Sequence, residues 1–167
     1  VSHRYETKGT SMPRSLATTG RTTFFAYATA AWAFAFAAVH VYWAVGGSLG
    51  LPPGLSVRGN TPLFVIDVIA VPMCVAGGVL ALALVRPFGA RLARKPLLVG
   101  AWGMSVLCLV HSVPAVLQAA LLLVSGDADT LTAPERFSFF GYEPYWFVGG
   151  VLTGLAAFGY QRATRGR

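Results

Sequence analysis

Apolar residues in this chain come in four long blocks, over about residues 22–45, 61–85, 97–124 and 144–161, with polar residues gathered between them. A run of about 18 or more residues with few charges is long enough to cross the hydrocarbon core of a bilayer as a helix. The pattern therefore predicts an all-α fold, a four-helix transmembrane bundle. The first block is rich in alanine and aromatic residues and ends at Gly46-Gly47. A loop carrying Pro52, Pro53 and Gly54 leads to Asn60. Thr61 and Pro62 then open the second block, a polar cap followed by proline in the first turn, where its missing N–H is harmless. The third block holds Pro114, which a membrane helix tolerates with a kink. Between the third and fourth blocks, Thr132 and Glu135 have the spacing of a capping box. Phe137, Phe139, Phe140 and Tyr142 follow, predicting a short helical turn at the membrane interface, as an anchor or as a lid over a pocket.

The charges orient these blocks. Arg4, Lys8, Arg14 and Arg21 precede the first, Arg86, Arg91, Arg94 and Lys95 lie between the second and third, and Arg162, Arg165 and Arg167 follow the fourth. The two remaining loops carry only Arg58 and Arg136. Positive residues stay on the cytoplasmic side, so both termini and the middle loop are expected inside (N-in/C-in). Residues 1–21 read as a disordered cytoplasmic tail and 162–167 as a basic one, flanking a transmembrane domain over 22–161. The first apolar block is too long for the core of a signal peptide and is expected to remain as an anchor. The chain starts at Val1, with Met12 as a second candidate start.

Composition agrees: 55% of residues are hydrophobic and 11% charged, against about 25% charged in soluble domains. The net charge of +7 does not point to nucleic acid, because the basic residues sit at the ends of apolar blocks. The expected location is the plasma membrane, multi-pass, with the lipid bilayer as the first partner. Cys74 and Cys108 fall inside the blocks and read as small apolar filler. Gly150 and Gly154 form a small-xxx-small pair, which serves packing within the bundle or a homodimer.

Ionisable residues inside a membrane span are costly, so each calls for a reason. His40 and Asp67 lie about five and six residues from the same ends of consecutive blocks, which puts both roughly 8 Å below the outer boundary. They are expected to meet, with Glu143 near their level. His111 is placed deeper, on one face with Cys108 and Gln118, and Phe36, His40, Trp43 and Gly47 share another face. If both faces point inward, a polar pocket walled with aromatics opens toward the outside. Its ligand-binding candidates are His40, Trp43, Asp67, His111, Gln118 and Glu143, with His40 and Asp67 the catalytic candidates. Each has a plainer reading. His40 and Asp67 could be a structural pair, His111 and Gln118 interhelical hydrogen-bonding groups, and Trp43, Tyr145 and Trp146 interfacial anchors. His40, Asp67 and Glu143 are not a specific metal pattern, and no metal site is expected.

Two segments resemble a known family. His40-Val-Tyr-Trp-Ala-Val-Gly-Gly-Ser-Leu-Gly50 and Tyr142-Glu-Pro-Tyr-Trp-Phe-Val-Gly-Gly150 are similar to the opening and closing motifs of a family of small four-helix bacterial membrane proteins, common in actinobacteria, whose domain has no assigned function. The resemblance implies four helices and an outward-facing cluster around His40, Trp43, Gly46, Gly47 and Glu143. It implies no reaction. Three functional readings follow from the residues. The first is a non-catalytic membrane subunit or binding protein, with a membrane protein partner or a lipid or isoprenoid ligand. The second is a membrane-embedded enzyme acting on a lipid or isoprenoid, with the Asp/His pair as general acid and base. The third is a haem or quinone carrier using His40 and His111.

Overall fold

A computed structural model describes residues 19–165, and all of the regular structure among them is helical. The N-terminal tail through residue 18 and residues 166–167 lie outside the described part. The four long helices are α1 (Gly20–Ala44), α2 (Thr61–Ala83), α3 (Arg94–Ser125) and α5 (Glu143–Ala163), with a short α4 (Ala133–Phe137) before the last. Three of them, α1, α2 and α3, are long and apolar enough to cross a membrane.

Local chemistry sets the ends. Thr19 caps α1 by accepting from the Thr22 N–H at 3.4 Å. Asn60 caps α2, its Oδ1 accepting from Leu63 N–H at 3.2 Å, so Thr61 is the first helical residue rather than the cap. α3 ends at Gly126, whose φ of 79° lies in the left-handed region that glycine enters without a Cβ penalty. The 32 residues of α3 span about 48 Å, well beyond a hydrocarbon core of about 30 Å. The interior prolines are Pro72 in α2 and Pro114 in α3.

The aromatic segment after the capping box departs from expectation. Thr132 donates to the Glu135 carboxylate from its N–H at 2.8 Å and from its hydroxyl at 2.7 Å. These bonds, the hydroxyl's foremost, hold the Glu135 carboxyl below its usual range, so the cap survives mild acid and is lost only as pH falls through that lowered value. The short helical turn forms where expected, as α4, but it does not stand alone. It runs through a π-helical turn at Ser138–Tyr142 directly into α5. A π turn inserts one extra residue and re-aims the side chains around it.

α1 packs along α2 and α5, α3 packs along α5, and α2 and α3 meet only sparsely. Small residues carry these contacts. A Cβ added at Gly78 would strike the Phe34 ring, and one at Gly149 or Gly159 would overlap Trp32 or Thr22. Gly150 and Gly154 face Cys108, Leu109 and Ser105 of α3, and the Ser105 hydroxyl donates to the Gly150 carbonyl at 2.8 Å. The small-xxx-small face is thus covered within the chain, which removes the basis for a homodimer through it. α5 contributes Gly149, Gly150, Thr153, Ala156 and Ala157 to the interior, and its flanks are shielded by α1 and α3. The Arg94 guanidinium donates to Thr164 Oγ1 at 2.7 Å, and Arg86 lies 5.4 Å from the Tyr27 ring centre. These contacts gather the basic residues at one end of the bundle.

Candidate functional site

The opposite end holds the polar cluster. α1 brings Phe36, His40 and Trp43 to the interior on one face, each at most 7% exposed, as the three- and four-residue spacing requires. The His40 Nδ1 lies 3.0 Å from the Phe36 carbonyl. A carbonyl only accepts, so Nδ1 carries a hydrogen. The other ring nitrogen, Nε2, is 3.8 Å from Asp67 Oδ1. Attraction across that gap requires a proton on Nε2 or on the carboxyl. The pair brings α1 and α2 together at the two residues expected to meet.

A second pair lies beside it. His111 Nε2 is 3.5 Å from Glu143 Oε1. His111 was expected deeper than Glu143, near the middle of a span. Because α3 is longer than a span, counting residues from its start misplaces His111 relative to the shorter α5. Glu143 is 9% exposed rather than open to water, because the π turn folds Phe137 and Tyr142 around it. The His111 side chain is half exposed.

Asp67, His111 and Glu143 all line one cavity of about 390 Å³. Trp43, Phe137, Tyr142 and Trp146 form its aromatic walls. Leu51, Leu55 and Val57 close it from the 45–60 loop, and Leu63 and Ile66 complete it from α2. Three polar atoms of this lining are buried without a hydrogen-bond partner: Asp67 Oδ2, Glu143 Oε2 and Trp146 Nε1. Buried carboxylate oxygens are nearly always bonded, and an orphan among them calls for an explanation. Two lie on a single cavity here.

Trp43 is buried and donates from Nε1 to the Leu49 carbonyl at 3.0 Å, which ties the loop over the cavity. Trp146 packs on His111 with ring centres 5.0 Å apart. Tyr145 donates its hydroxyl to the Trp32 carbonyl at 2.8 Å and accepts the Trp32 indole N–H on its own carbonyl at 2.9 Å. Trp43 is thus buried, and Tyr145 and Trp146 are partly buried against α1 and α3. Gln118 is exposed and stands apart from the cavity lining. Cys108 is buried on the α3 face that carries Ser105 and Ser112, which turns toward α5. His40 has Nδ1 bonded to the Phe36 carbonyl and Nε2 facing Asp67 at 3.8 Å, and it does not line the cavity that His111 lines. Among the described residues no three His, Cys, Asp or Glu converge as a metal site.

Sequence reasoning missed the loop side chains Leu51, Leu55 and Val57, because a loop has no period that marks an inward face. It also missed Trp32, whose partner is 113 residues away.

The two quoted motifs meet in space: His40 of the first lies against Tyr142 of the second, flanked by the Phe36–Tyr142 and Trp43–Phe137 contacts. The sequence profile of the family described as "Protein of unknown function (DUF3995)" matches residues 33–153. The chain belongs to that family. The matched DUF3995 region begins next to Trp32 and ends within α5, so it encloses every residue of the cavity. No curated protein and no solved structure matches the chain.

Proposed function

We propose that the protein is a multi-pass plasma-membrane protein whose four long helices all span the bilayer, and that it binds a small amphipathic molecule in a pocket open to the outer side. The observation that carries this reading is the pair of buried, unpartnered carboxylate oxygens, Asp67 Oδ2 and Glu143 Oε2, on one aromatic-walled cavity. A cavity of this size and lining suits a small ligand with a polar head. The sparse α2–α3 seam, with Ile66 and His111 on its two sides, offers a path from the lipid.

The role is binding rather than catalysis. A His40–Asp67 acid–base pair would need to reach the substrate, and Asp67 lines the cavity while His40 stands behind it. Binding is read out by native mass spectrometry of the protein extracted from its own host. The wild type is expected to carry a stoichiometric small molecule. Ile66→Trp, which fills the cavity from an exposed α2 position, is expected to lose it while remaining helical and monodisperse. A bare protein mass in both, with no added amphiphile retained, would sink the binding role.

Orientation follows from the basic end, which belongs in the cytoplasm. Cysteine placed at Ser48 is expected to react with an impermeant maleimide on intact cells, and cysteine at Arg91 only after permeabilisation. Both positions are exposed, whereas a Cβ at neighbouring Gly89 would overlap the Ala83 backbone. Labelling of Arg91→Cys from outside would invert the topology.

A further inference from the structure

The chemistry of the cavity narrows its ligand. The residues that line it supply two carboxylates, two tryptophans, a tyrosine, a phenylalanine, a serine (Ser138) and one histidine (His111), which already faces Glu143 Oε1, and no lysine or arginine. Asp67 and Glu143 are 5% and 9% exposed, and each has only a histidine beside one oxygen. The other oxygen of each is an acceptor with nothing to accept from. A buried acceptor left unpaired is destabilising, and a charged donor satisfies it more strongly than a neutral one. The aromatic faces add attraction for a cation. A neutral hydroxyl would offer one donor to two waiting carboxylates, and it would gain nothing from the rings. The aliphatic walls are Leu51, Leu55, Val57, Leu63 and Ile66.

We infer that the cavity selects a protonated amine carried on an apolar body, its ammonium group donating to Asp67 and Glu143 and its body lying against the aromatic and leucine walls. This deepens the binding role proposed above and rests on it.

Benzylamine and benzyl alcohol test the inference, because they share a body and differ in the charged donor. Both are titrated into the purified full-length protein in nanodiscs of uncharged lipid at pH 7, following the fluorescence of Trp43 and Trp146 and the native mass. Wild type is expected to bind the amine at least tenfold more tightly than the alcohol. The double variant Asp67→Asn, Glu143→Gln, which keeps the shapes, is expected to lose that preference while still binding the alcohol. Thermal unfolding of the variant shows that it remains folded, and Glu143→Gln alone serves as the test if the double variant does not. Equal binding of amine and alcohol by wild type overturns the inference and leaves the binding role standing. So does an amine preference that survives loss of the carboxylates. Failure of both molecules to bind, together with a bare native mass for wild type and Ile66→Trp alike, overturns both.

Discussion

Trp32→Ala is expected to destabilise the protein by about 3–5 kcal/mol, the range for removing a large aromatic from a packed interior. The Trp32 ring stacks on Tyr145 at 5.4 Å and meets Phe36 and Trp146 edge-on or tilted. In lipid there is little hydrophobic drive between helices, so close packing and interhelical hydrogen bonds hold them together. Trp32 supplies both. Its indole donates to the Tyr145 carbonyl, and its own carbonyl accepts the Tyr145 hydroxyl. The substitution opens a void between α1 and α5 and removes the indole bond to the Tyr145 carbonyl. Trp32→Phe, which keeps one ring and loses the donor and part of the volume, is expected to cost less, about 1–2 kcal/mol. The measurement is reversible unfolding in mixed micelles with increasing denaturing detergent. A midpoint for Trp32→Ala equal to that of Trp32→Phe would show that the ring is not the keystone of the α1–α5 contact.

Gly149→Val attacks the same seam from the other side, and its effect is expected to be of similar size. A Cβ at Gly149 would fall inside the Trp32 ring. The ring is held by its indole N–H bond to the Tyr145 carbonyl and by its packing on Tyr145, Phe36 and Trp146, so it has little room to swing aside. Overpacking of this kind costs about 1–3 kcal/mol for a single added group, and valine adds three. The expected readout is a large fall in the monodisperse fraction after extraction. Gly103→Val, at a glycine with no atom within 4 Å of an added Cβ, is the control and should behave as wild type. Combining Gly149→Ala with Trp32→Phe should cost less than the sum of the two, because the smaller ring makes room for the methyl. Strict additivity would show that the two positions do not touch.

The site depends on this seam. Trp43 stands on α1 and Glu143 on α5, and both line the cavity, so separating the two helices opens it. Loss of ligand in Trp32→Ala would therefore follow from loss of packing, whereas loss in Ile66→Trp would report on the cavity alone.

The helices were legible because their signal is local. A block such as 61–85 is apolar along its whole length, and the caps and glycines that end it lie within a few residues of the ends they set. The expected ends differ from the observed ones by three residues or fewer, as at α3, which begins at Arg94 and not near residue 97. The depth match of His40 and Asp67 was legible for the same reason. They lie near facing ends of helices joined by a short connection, so rise per residue sets their levels. The partner of Glu143 was not. His111 reaches it only because α3 extends beyond the thickness that a span was assumed to have.

What the amino-acid sequence determined by itself is the helical class, the helix limits, the basic end and the pairing of His40 with Asp67. What only the tertiary structure decided is which face of each helix meets which neighbour. Each residue turns an α-helix by about 100°, so one inserted residue re-aims everything beyond it. The π turn at Ser138–Tyr142 is such an insertion, and no periodicity in an aromatic stretch announces it. It carries Tyr142, Glu143 and Trp146 to the cavity wall. There a carboxylate that read as water-facing becomes a buried acceptor without a donor.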